Sequence, residues 1–143
     1  MVARMRMLAF AGYPMIPELM SAHRVGGRIA ATAFLQVRPD YNTSALVWLG
    51  ERVSSREQRL VQYHAAGALL VACRKAEEQD LETLCQVIKD TTEVCERMDP
   101  KIRSERALEL LAWCQSSLDR KPYAKEDSVT AILDVKPPQS DAA

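Results

Sequence analysis

Residues 56–76, REQRLVQYHAAGALLVACRKA, constrain this chain more than any other stretch. Charges close both ends, and small and apolar residues run between them without a proline. Val61, Ala65, Ala68 and Ala72 recur at helical spacing, with Leu60, His64, Leu69 and Cys73 beside them. That surface is wider than the stripe of an amphipathic helix, so the pattern predicts a helix enclosed by neighbours on several sides. The alanines and Gly67 let those neighbours approach closely. The segment is expected to be the most buried element of a helical domain.

A chain of 143 residues suffices for one domain with a real core. Its hydrophobic content of 48% includes only 6% aromatic residues, an aliphatic interior that favours helices over a β-sandwich. No apolar run approaches the roughly 20 residues needed to span a bilayer. The opening MVARMRMLAFAG has the arginines of a signal peptide, but its apolar run is short and broken by Gly12 and Pro14. A cytoplasmic protein with no membrane contact is expected. Cys73, Cys85, Cys95 and Cys114 all fall in predicted helices with no CxxC pair, which reads as buried free thiols in a reducing compartment. A structural zinc site would show paired ligands at short spacing.

The net charge is zero, but it is distributed unevenly. Residues 1–76 carry 10 Lys or Arg against 4 Asp or Glu, a balance of +6; residues 77–143 carry 9 against 15, a balance of −6. The acidic excess is concentrated between Glu77 and Asp99. It reads either as one solvated acidic helix face or as a device for head-to-tail association. The basic residues are scattered without interleaved aromatics, which argues against nucleic-acid binding.

A short helix is expected over residues 3–11, ending at Gly12-Tyr13-Pro14, and a second over 16–23 with Pro17 in its first turn. Gly26-Gly27 either breaks the chain or opens a helix over about 25–37, with Ile29, Ala33, Phe34 and Val37 on one face. Pro39 stops it. Asn42, Thr43 or Ser44 caps the next helix, which runs to about Val53 and buries Leu46, Val47 and either Leu49 or Trp48. Ser54 with Glu57, or Ser55 with Gln58, has capping-box spacing before the long central helix. Asp80 is expected to cap the following helix, whose face is Leu81, Leu84, Cys85, Ile88, Thr92 and Cys95. Asp99-Pro100 reads as the start of the last helix, which runs to about Leu118 and turns Ala107, Leu108, Leu111, Cys114 and Leu118 inward.

Residues 122–143 differ in character, mixing charges, serine and three prolines around the apolar cluster SVTAILDV. The tail is either disordered or an extended docking segment. In the second case Val129, Ile132, Leu133 and Val135, with Ala131, are its partner-binding residues, and Pro137-Pro138 ends any strand.

Two segments resemble HEAT or armadillo-type helical repeats: IPELMSAHRVGGRIAATAFLQV at 16–37 and ALVWLGERVSSREQRLVQYHAAGALLVAC at 45–73. Each joins an apolar helix to an Ala-rich second helix, with Arg28-Ile29-Ala30-Ala31 in one and Tyr63-His64-Ala65-Ala66 in the other. The second lacks the arginine, and residues 80–118 fit the pattern poorly. The resemblance implies a protein-binding scaffold.

Candidate chemistry is sparse. His64 has the type of a general base, but no Asp or Glu at i±3 or i±4 orients it, and a hydrogen-bonded histidine at a helix interface accounts for it. His23 suits the end of a helix, where carbonyls are available. Gly26-Gly27-Arg28 has the look of a phosphate loop without the preceding strand or the Gly-Lys-Ser/Thr pattern. Cys85 and Cys95 lie about 15 Å apart along one helix, too far for a disulfide. Trp48 and Trp113, with Tyr13, Tyr41 and Tyr123, are either interface anchors or core.

These readings converge on an all-α domain over residues 1–121. It has five to seven helices stacked as antiparallel hairpins, HEAT-like or an irregular bundle, followed by the tail at 122–143. The expected role is a non-catalytic protein–protein interaction module, with a protein partner or self-association and no cofactor or small-molecule substrate. The alternative is a regulatory or sensor domain that binds a metal or small ligand through its cysteines or an inter-helix cavity.

Overall fold

Small side chains on the central helix decide how the other helices sit. The computed structural model describes residues 16–21 and 23–121. These hold six helices: α1 Ile16–Met20, α2 Val25–Val37, α3 Thr43–Ser54, α4 Arg59–Lys75, α5 Leu81–Arg97 and α6 Glu105–Asp119. A 3₁₀ turn at Glu78–Asp80 leads into α5, and there is no strand among the described residues. The helix expected over 3–11 and the tail at 122–143, with Val129, Ile132, Leu133 and Val135, lie outside them.

The helices alternate between two layers. α4 packs between α2 and α6 in one layer, and α3 packs against α5 in the other. α3 against α4 and α5 against α6 join the layers, and α1 rests on α2. Arg28 near the start of α2 meets Glu57 just before α4, whereas Tyr41, beyond the end of α2, donates to Ala72 O late in α4 at 2.8 Å. The two helices therefore run parallel. Residues 59–63 adjoin residues 100–106, and Lys121 reaches Arg74 O and Ala76 O, so α6 runs the same way. Gly50 lies against Thr91 and Val53 against Cys95, which makes α3 and α5 parallel to each other.

Val61, Ala65, Ala66, Ala68, Leu69, Ala72 and Cys73 of α4 are buried, as its broad apolar surface requires. α2 is enclosed to the same degree: every residue from Ala31 to Gln36 is buried, against the expectation that the central helix would stand alone in this. The remaining core comes from single faces: Leu46, Leu49 and Val53 of α3; Leu81, Leu84, Val87, Ile88 and Cys95 of α5; and Ala107, Leu111, Cys114 and Leu118 of α6. Val47, expected inside, is exposed, and Trp48 is half-buried with its Nε1 donating to Met20 O. No helix among the described residues is long and apolar enough to cross a membrane.

Several helix ends differ from the sequence expectation, each for a local reason. Asn42 does cap α3, accepting from Ser44 N. No capping box forms before α4, because Glu57 turns to Arg28 and Arg52 and Ser54 donates to Gly50 O. The helix consequently begins at Arg59. Asp80 occupies the N-cap position of α5, but its carboxylate accepts from Glu77 N in the capping box of the 3₁₀ turn. Asp99-Pro100 does not start α6. Asp99 accepts from Lys101 N, and Ile102 N donates to Asp99 O, closing a turn. α6 starts at Glu105, capped by Ser104, whose hydroxyl accepts from Ala107 N at 3.1 Å.

Candidate functional site

The connector between α5 and α6 is held against the first turns of α4, and that attachment shapes a groove beside it. Arg59 donates to Lys101 O at 2.6 Å and to Arg103 O at 3.3 Å. Gln62, fully buried, donates to Ile102 O at 3.0 Å. Three consecutive carbonyls are thereby committed to α4, which keeps residues 100–103 out of the helix and leaves a step beside it.

The groove on that step has a volume of ≈ 660 Å³. Leu60 and Tyr63 of α4 form one wall, Pro100, Arg103 and Ser104 the end, and Glu105 and Arg106 of α6 the other wall. Leu60, expected within the buried surface of α4, is instead 45% exposed here. The guanidinium of Arg106 lies over the Tyr63 ring at 5.6 Å, which keeps both groups on the wall. The rim is basic. Among the described residues Arg59 bonds two neutral carbonyls and no carboxylate, Arg103 pairs with Glu105 at 2.7 Å, and Arg106 lies 3.5 Å from Glu109 across an exposed surface where such a pair is worth little. The amino-terminal ends of α4 and α6 both face this end of the layer and add their positive dipole ends. The arrangement is chemically suited to an acidic segment that brings an apolar side chain.

A second, smaller cleft of ≈ 140 Å³ lies between α3 and α5, with exposed Val47 and Val94 beside Glu51 and Asp90. It is too small for more than one side chain.

The residues singled out from sequence have other occupations. The His64 ring packs edge-on against Tyr63 at 5.2 Å, and its carbonyl accepts from Gln36 Nε2. The His23 carbonyl accepts from Arg28 Nη1. Gly26 and Gly27 form the first turn of α2, and the Arg28 charge goes to Glu57 at 2.7 Å instead of to a phosphate. Trp48 lies under Arg52 and bonds Met20 O, and Tyr41 bonds Ala72 O, so both are structural. Trp113 is 55% exposed on α6. Tyr13, Tyr123 and the tail residues lie outside the described residues.

All four cysteines are free; Cys73, Cys95 and Cys114 are buried and Cys85 is half-buried. Cys114 is hydrogen-bonded to Cys73, and that bond together with burial raises its pKa well above the ordinary thiol range. Burial, outweighing the Arg103 charge, pushes Cys95 up to about 11. Burial also raises Cys85. Thiols so biased toward the protonated form are poor nucleophiles and poor metal ligands. Among the described residues no three His, Cys, Asp or Glu side chains are grouped to hold a metal ion.

The groove itself was not legible in the sequence. Leu60 and Tyr63 lie about 40 residues from Arg103 and Arg106, and none belongs to a motif. The available signal was that Tyr63 falls beside the main apolar stripe of α4 while carrying a large ring. No family model matches this chain, and neither a curated protein nor a solved structure matches it.

Proposed function

We propose that this chain is a non-catalytic protein-interaction module whose α4–α6 groove receives an acidic, apolar-anchored segment of a protein partner. The observation that carries the reading is the groove of ≈ 660 Å³, with Leu60 exposed on its wall and Arg59, Arg103 and Arg106 at its rim. Exposed apolar surface with a net positive rim, three arginines against Glu105, is the chemistry of a docking site for an acidic segment. The two-layer stacking of parallel alternate helices supports the same reading, because HEAT-like scaffolds stack helix pairs in this way. Four free cysteines, with no disulfide formed, favour a reducing compartment such as the cytoplasm. The raised pKa values of Cys85, Cys95 and Cys114 weigh against the alternative of a sensor that binds metal through thiolates.

The test is selection from a displayed random-peptide library against the full chain. Enriched peptides should be acidic with an aliphatic or aromatic anchor. Their affinity should fall by at least about tenfold on Leu60→Asp/Arg106→Glu. It should also weaken as NaCl rises from about 50 to about 300 mM, as the exposed charges become screened. Peptides that bind the double variant as tightly as the parent would overturn the reading.

A further inference from the structure

The groove has a candidate occupant within the chain itself. Described residues end at Lys121, whose ammonium donates to Arg74 O at 2.7 Å and to Ala76 O at 3.3 Å. The chain therefore leaves α6 beside the carboxyl-terminal end of α4, at the end of the layer opposite the groove. From Asp119 back to Arg106 the helix covers roughly 20 Å at about 1.5 Å per residue. An extended chain advances about 3.3 Å per residue, so about seven residues beyond Lys121 span that distance. That is enough chain for residues 129–135, the apolar part of SVTAILDV, to reach the level of Leu60 and Tyr63.

Two further observations support this path. Trp113 stands seven residues after Arg106, hence on the same face of α6, and is 55% exposed midway between exit and groove. Charge is complementary as well: residues 122–143 carry Lys125 and Lys136 against Glu126, Asp127, Asp134 and Asp141, a balance of −2. The groove carries three arginines against Glu105.

We propose that residues 122–135 run back along α6 over Trp113 and place Ile132 and Leu133 in the groove of the same molecule. The tail then acts as an internal competitor that an external acidic segment must displace. The proposal rests on the preceding reading in that the groove takes an acidic, apolar segment.

The test uses the full chain labelled with 5-fluorotryptophan, the Trp113 ¹⁹F signal being assigned by Trp113→Phe. In the parent the Trp113 signal should show a small solvent-isotope shift between H₂O and D₂O. Ile132→Asp/Leu133→Asp should raise that shift toward the value of a free indole with the far-UV circular dichroism unchanged. A synthetic peptide of residues 122–143 added to the double variant should restore the parent signal, and Leu60→Asp should release the tail from the groove side. A Trp113 signal identical in parent and double variant would sink the proposal. So would a signal that changes on dilution, which would assign the groove to a second copy. The two readings fail separately. Library peptides that bind while Trp113 is insensitive to the tail leave the docking function standing without an internal occupant. A responsive Trp113 with no peptide bound in trans makes the contact purely intramolecular.

Discussion

Glu57 shows how a single residue joins three segments. Its carboxylate meets Arg28 Nε at 2.7 Å and Arg52 Nη1 at 3.0 Å, and Arg28 reaches on to His23 O. The Glu57 side chain is only 6% exposed. Burial alone would raise its pKa, but hydrogen bonds and charge from Arg28 and Arg52 overcome that, and the net result lies below the usual 4.5. A folded-state pKa held below the unfolded value stabilises the protein above that unfolded value, and the contribution is lost as pH falls through the folded pKa. Glu57→Gln should therefore cost about 1.5–3 kcal/mol at neutral pH, the range for hydrogen bonds to charged groups. The difference from the parent should stay constant above about pH 5 and shrink as the solution is acidified. Urea unfolding at a series of pH values measures it, and a difference independent of pH would show that the carboxylate charge is not what holds the three segments. The cysteines make a second case at this scale. With Cys73, Cys95 and Cys114 buried and Cys85 only half-buried, iodoacetamide at about pH 8 should modify Cys85 first and the other three only with denaturant present. Peptide mass mapping reads the order; rapid native labelling of Cys114 would contradict the packing of α4 on α6.

At the scale of elements, close approach matters more than helix propensity. α3 and α5 meet where Gly50 faces Thr91, so near that a Cβ on Gly50 would lie 2.5 Å from Thr91 Oγ1. Thr91 is buried and β-branched, with little freedom to turn away. Gly50→Ala should therefore destabilise the fold by roughly 1–3 kcal/mol, although alanine is the better helix former. Gly26→Ala, where the space around the glycine is open, serves as the control and should be neutral or stabilising. Equal thermal midpoints for Gly50→Ala and the parent would mean that the second layer is more loosely packed than described. Helix positions were legible because the signals are local. Asn42 before α3 and the periodic faces of α5 and α6 depend on residues at most four apart. Helix starts failed where a distant residue competed for the cap. Glu57 was drawn to Arg28, 29 residues away, and the carbonyls after Asp99 went to Arg59 and Gln62, about 40 residues away.

At the scale of the whole molecule, the basic and acidic halves of the sequence do not form two separate bodies. α6 brings Arg103 and Arg106, both from the acidic half, against Arg59 from the basic half, and so concentrates positive charge at one end of a layer. The acids of α5, among them Asp90, Glu93 and Glu96, remain exposed on the other layer. Sequence by itself determined the helical class, the approximate extent of the helices, and the small residues that let α4 sit among three neighbours. These follow from side-chain periodicity and volume, which each segment carries locally. Only the tertiary structure decided which apolar residues stayed outside. Leu60 and Val47 have the same chemistry as Leu69 and Val53, and their exposure depends on which helix happens to cover them. It also decided where a groove opens, because Leu60 and Arg106 become neighbours solely through the packing of α4 on α6, with the connector carbonyls tied to Arg59 and Gln62.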